Sequence, residues 1–78
     1  MTTAVGTFDP GEMADHIAGL IADGWSVAVE LGREGFWISR AEVVRGMLAI
    51  YLREEQSADP LFLIPGSTPI YLRLARNT

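Results

Sequence analysis

"SRAEVVRGMLAIYLREEQSADP", residues 39–60, is the stretch whose reading decides the fold. Ser39-Arg40-Ala41-Glu42 places a hydroxyl three residues ahead of a glutamate, the spacing at which each side chain accepts from an otherwise unpaired N–H at a helix start. Val43, Val44, Met47, Leu48, Ile50, Tyr51 and Leu52 then supply a wide apolar set, and "QSADP" ends the pattern. The spacing predicts a deeply buried helix over 42–55. Met47 to Leu52 is the longest uninterrupted apolar run, and it is far shorter than the roughly 20 residues a bilayer-spanning helix needs.

Working toward the N-terminus, Asp9-Pro10-Gly11-Glu12 repeats the capping spacing and adds proline at the first helical position. From Glu12 to Asp23 the apolar residues Met13, Ala14, Ile17, Leu20 and Ile21 fall within about 120° of arc at 100° per residue, and Gly24 supplies a stop. This predicts a first, amphipathic helix. Each helix is followed by a hairpin-like segment. In "WSVAVELGREGFWIS" Val27, Val29 and Leu31 alternate with Ser26, Ala28 and Glu30, and Gly32 and Gly35 bracket a charged turn. In "LFLIPGSTPIYLRLA" Pro65-Gly66 and Pro69 mark a turn between two apolar strands. The expected fold class is therefore α+β: a two-layer sandwich of order α-β-β-α-β-β, with two helices on a mainly antiparallel four-stranded sheet. At 78 residues the chain has room for a single domain, 1–78, and residues 2–8 can add a short edge strand.

Chemistry is sparse. Cysteine is absent, which excludes disulfides, thiolate zinc sites and thiol nucleophiles. The opening "MTTAVGTFDP" has neither the basic nor the apolar region of a secretory leader, so a soluble, cytoplasmic protein is expected. The one histidine, His16, lies near Glu12, Asp15 and Asp23 on the polar side of the first helix. Glu12 and His16 have the i,i+4 spacing that can share a metal, but two ligands on a solvated helix make no site, and no second histidine or HExxH pattern completes one. No GxSxG elbow accompanies the serines, and "PGST" at 65–68 lacks the Gly-Lys of a phosphate loop. The expectation is a non-enzyme with no cofactor and no metal.

What remains is surface. The net charge of -4 is uneven: residues 1–39 hold six acids against Arg33, whereas 40–78 hold four acids against five arginines. An acidic N-terminal half disfavours direct nucleic-acid binding and suits a protein partner with a basic surface. The acidic stripe of Glu12, Asp15 and Asp23, extended by Glu30 and Glu34, is one candidate contact. Pairing across the first hairpin, with Leu31 opposite Phe36, Val29 opposite Ile38 and Glu30 opposite Trp37, puts Trp37 on the face away from the core; the last hairpin puts Leu61, Leu63, Tyr71 and Arg73 there too. If both helices cover one face, Trp37 and Tyr71 form an exposed contact patch; if they cover opposite faces, both sets are core.

A compact, acidic, cysteine-free chain without a catalytic kit resembles, in character rather than by motif, the small inhibitors encoded by phages and mobile elements, anti-CRISPR proteins among them. The resemblance implies an inhibitor whose acidic side chains occupy a basic surface of a nucleic-acid-handling complex and block nucleic-acid access, with an apolar anchor slowing release. The alternatives are a homo-oligomeric structural or regulatory protein that buries the outer sheet face against its own copy, and an antitoxin or immunity protein. A monomer and a homodimer are both compatible with the sequence.

Overall fold

The computed structural model describes residues 2–5, 7–53 and 59–76. The chain runs β1 (Thr2–Val5), α1 (Pro10–Ala22), β2 (Trp25–Leu31), β3 (Glu34–Val44), β4 (Met47–Leu52), β5 (Phe62–Ile64) and β6 (Ile70–Arg76). The six strands form one antiparallel sheet in the order β1-β6-β2-β3-β4-β5. The fold is thus mostly β with one helix, and the expected two helices on a four-stranded sheet are not what the residues form. No helix among the described residues is long and apolar enough to cross a membrane.

α1 forms where its caps predict. Asp9 Oδ1 accepts from the Gly11 and Glu12 N–H groups at 2.8 and 3.1 Å, Pro10 sits at the first turn, and Gly24 turns the chain out with φ 92°. Met13, Ala14 and Ile17 are buried against Val27, Val29, Ile38, Leu48, Ile50, Ile64, Ile70 and Leu72, which makes one core between helix and sheet. Each aliphatic side chain fully buried there contributes about 1.5–3 kcal/mol.

The largest correction concerns residues 42–52. They are not helical: β3 and β4 pair as a hairpin, Val44 opposite Met47, through the two-residue turn Arg45-Gly46. Both turn residues have positive φ, 54° and 74°, as a type I′ turn requires. A helix there would have carried Gly46 in its interior at a cost of about 1 kcal/mol, and the branched Val43 and Val44 favour an extended chain. Ser39 caps nothing. It lies in a bulge between Ile38 and Arg40, and its hydroxyl donates to the Tyr51 carbonyl at 3.4 Å. The extra residue flips the alternation, so that Ile38 and then Ala41 face the helix while Arg40 and Tyr51 pair on the far side. Residues 54–55 of the expected helix lie outside the described residues.

Two further expectations change. The first hairpin turns at Gly32-Arg33, not across Gly32 to Gly35, so Val29 faces Phe36, Ala28 faces Trp37 and Glu30 faces Gly35. The register differs from the expected one by two residues, which changes partners but preserves faces, because side chains alternate with a period of two. The last two strands are not a hairpin at all. β5 is the edge strand beside β4, and β6 is inserted between β1 and β2 at the other end of the sheet. Four strand spacings separate β5 from β6, about 19 Å in a flat sheet. The Thr68 N–H donates to the Pro65 carbonyl (3.0 Å), a turn that holds its ends within about 7 Å and leaves the link too short for that span. The sheet is accordingly curled, and the 65–69 link passes beside Phe8, whose N–H donates to the Gly66 carbonyl at 2.9 Å.

Candidate functional site

Among the described residues a single helix covers one side of this sheet, and no second helix lies over the other. The far face is built from the positions that alternate with the core. Cross-strand pairing sets Arg73, Ala28 and Trp37 in one row and Tyr71, Glu30 and Gly35 in the next. Trp37 is 41% exposed and Tyr71 44%, on a face where a side chain covered by a second layer would be nearly inaccessible. Leu63, on β5, is also exposed. Tyr51 lies on the same face yet is buried, because the Arg40 guanidinium sits 4.0 Å from its ring centroid and its hydroxyl donates to Glu42 Oε2 at 3.1 Å.

The charges of this face are largely paired among themselves. Arg73 reaches Glu30 at 2.7 Å, and Arg40 reaches Glu42 at 3.5 Å. Both arginines are well exposed, so each pair contributes less than about 1 kcal/mol to stability; their effect is to cancel the two carboxylates. Arg53 completes the set, its Nη1 donating to the Ser26 hydroxyl at 3.1 Å. Among the described residues this face thus carries three arginines, two of them paired to glutamates.

Ser26, Trp37, Arg53 and Ala75 line an open basin of about 500 Å³ on this face. Ser26 and Ala75, opposite each other across β2 and β6, contribute two small side chains to its lining. Arg53 follows β4 directly; its backbone N–H donates to the Trp37 carbonyl at 3.0 Å, and its guanidinium is held by the bond to Ser26.

The acidic residues distribute differently from the expected stripe. Glu12, Asp15 and Asp23 are exposed along α1, with His16 among them, and Glu34 is exposed at the start of β3. Glu30 does not join them. It lies on the opposite side of the sheet from α1, half-buried and paired to Arg73. The structure therefore brings Trp37, Tyr71 and Glu30 together on one face and Glu12, Asp15 and Asp23 on the other. A hollow of about 320 Å³ beside Phe8, Glu12, Met13 and His16 also takes in Asp9, whose carboxylate is occupied as the helix cap. Among the described residues no three His, Cys, Asp or Glu side chains are grouped as metal ligands.

A helix over 42–55 gives Arg53 no place on a sheet face, whereas Ser26 already alternates with the core positions of its strand. Once Tyr51 is placed in a strand, alternation assigns Arg53 to the same face.

These features define a small sheet module with one layer of helical cover and one bare, aromatic and arginine-bearing face. No protein-family model, curated protein or solved structure matches the chain.

Proposed function

We propose that this chain is a non-catalytic protein-binding module that docks its partner through the uncovered sheet face. The observation that carries this reading is the exposure of Trp37 and Tyr71, on adjacent rows of a sheet whose other face packs against α1. Tryptophan, tyrosine and arginine are the side chains that dominate binding energy at protein interfaces, since each offers a large contact area with a polar handle. Arg40, Arg53 and Arg73 supply the rim. The backbone of the sheet presents these groups on paired strands, so little ordering is required on association.

A second reading is carried by the exposed carboxylates of α1. Glu12, Asp15 and Asp23 on the solvent side of the helix suit a basic partner surface, as in an inhibitor of the anti-CRISPR kind that keeps nucleic acid from its binding site in a cytoplasmic complex. Because these acids lie on the far side of the molecule from Trp37, one flat partner surface does not touch both groups.

Affinity capture with the wild-type chain and two double variants separates the readings. Trp37→Ser/Tyr71→Ser is expected to weaken partner capture by at least about thirtyfold, the consequence of losing a hot spot. Asp15→Lys/Asp23→Lys is expected to leave it nearly intact. The reverse pattern would transfer the contact to α1, and a wild-type chain that light scattering shows to be a dimer, dissociated by the aromatic variant, would make its partner a second copy.

A further inference from the structure

We infer that the basin lined by Ser26, Trp37, Arg53 and Ala75 is a binding site for a planar organic carboxylate: an aromatic acid whose ring lies against Trp37 while its carboxylate meets the Arg53 guanidinium. This goes beyond the docking reading and does not rest on it, since it requires only the walls of the basin.

Four observations meet here. The volume of about 500 Å³ falls within the range of small-ligand sites, about 300–1,000 Å³. Two of the lining side chains, Ser26 and Ala75, are small and directly opposite each other across β2 and β6, which leaves room beside Trp37. Trp37 is exposed and offers an aromatic wall against which a flat ring gains contact by stacking.

The fourth observation selects the charge. Arg73 and Arg40 face glutamates, whereas Arg53 donates to a neutral hydroxyl. A guanidinium carries five N–H donors in a fixed fork. The bond to Ser26 engages one terminal nitrogen and holds the group at the basin, which leaves donors for the two oxygens of a carboxylate. Among the described residues the glutamates of this face, Glu30 and Glu42, are engaged by Arg73 and Arg40, and neither lines the basin. Among the described lining residues a cation would find a guanidinium and no carboxylate.

Two-dimensional 1H–15N NMR titration of the full chain tests this with three probes of the same shape: 2-naphthoate, 2-naphthylmethanol and 2-naphthylmethylammonium. The naphthoate is expected to shift the Trp37 indole N–H and the amides of Ser26, Arg53 and Ala75, with affinity falling from anion to alcohol to ammonium. Arg53→Gln should weaken the naphthoate about tenfold, the usual effect of losing a charge-assisted hydrogen bond, and leave the alcohol unchanged. Ser26→Ala, which frees the guanidinium but keeps its charge, should weaken it by less. Equal affinity for anion and alcohol, shifts centred on Tyr71 or α1 instead, or no shift up to the solubility limit of the naphthoate would each overturn the site. The probe order is read on the wild-type chain, so the test stands even if a variant does not fold. Loss of naphthoate binding with partner capture retained would remove the ligand site alone, not the docking face.

Discussion

At the scale of single residues, the two glycines Gly66 and Gly19 make opposite predictions. A Cβ on Gly66 would lie 2.4 Å from the Phe8 carbonyl oxygen, a backbone atom that cannot swing aside. Gly66 also accepts the Phe8 N–H, so the link between β5 and β6 is held against the entrance to α1 at this point. Gly66→Ala is expected to destabilise the fold by about 1–3 kcal/mol, the range for forcing atoms into a filled space. Gly19, on the exposed side of α1, has nothing within 4 Å of its missing Cβ. Gly19→Ala removes the entropy cost of glycine in a helix and should stabilise by about 0.5–1 kcal/mol. Urea denaturation reads both as shifts of midpoint with the slope unchanged. Equal effects of the two substitutions would mean that the 65–69 link does not pass against Phe8.

At the scale of elements, the β3–β4 hairpin turns on Arg45 and Gly46. Arg45 holds φ 54°, a conformation that costs a non-glycine residue about 1–2 kcal/mol and asparagine less. Arg45→Asn should therefore raise stability by up to about 1 kcal/mol, because Asn-Gly is the preferred pair for this turn. Gly46→Ala should lower it by a similar amount, since φ 74° strains any side chain. In a helix over 42–55 Gly46→Ala would stabilise, so the sign of one thermal shift distinguishes hairpin from helix. The ambiguity of this stretch has a physical origin. β4 is covered on both sides, by the core around Leu48 and Ile50 and by the Arg40 and Glu42 side chains over Tyr51, so its sequence is an unbroken apolar run without alternation. Ser39-x-x-Glu42 then imitated a helix cap, although Ser39 is a bulge residue and Glu42 accepts from Tyr51. Where one face is wet the pattern was legible: α1 from Asp9-Pro10 to Gly24, and the outward side of Trp37 from the alternation of its strand. The placement of β6 between β1 and β2 had no local signal, because sheet order depends on which edges meet in space. The basin was illegible for the same reason, its four lining residues coming from four separate parts of the chain.

At the scale of the whole molecule, α1 closes the hydrophobic core formed by the described residues. β1 and β2 run parallel with β6 between them, and α1 is the crossover that joins them, so the helix is both connection and cover. A chain of this length without disulfides rarely nets more than about 3–5 kcal/mol of stability. Ile17 is fully buried at the centre of α1, against the strands on which the helix lies. Ile17→Ala removes roughly 2–5 kcal/mol by lost transfer energy and the cavity left behind, which is comparable to the whole margin. The variant is expected to lose its cooperative unfolding transition near room temperature, whereas Ile17→Val, at about 0.5–1.5 kcal/mol, should keep it at a lower midpoint. Circular dichroism against temperature distinguishes the two. A wild-type transition in Ile17→Ala would show that the sheet holds together without its helical cover, so that the inner face would need some other apolar partner. The outer face tolerates more change, since Trp37 and Tyr71 are exposed and support no second layer; serine at both positions should cost less stability than Ile17→Ala and keep the cooperative transition. That difference between the two faces is what allows the docking surface to be altered without unfolding the module that presents it.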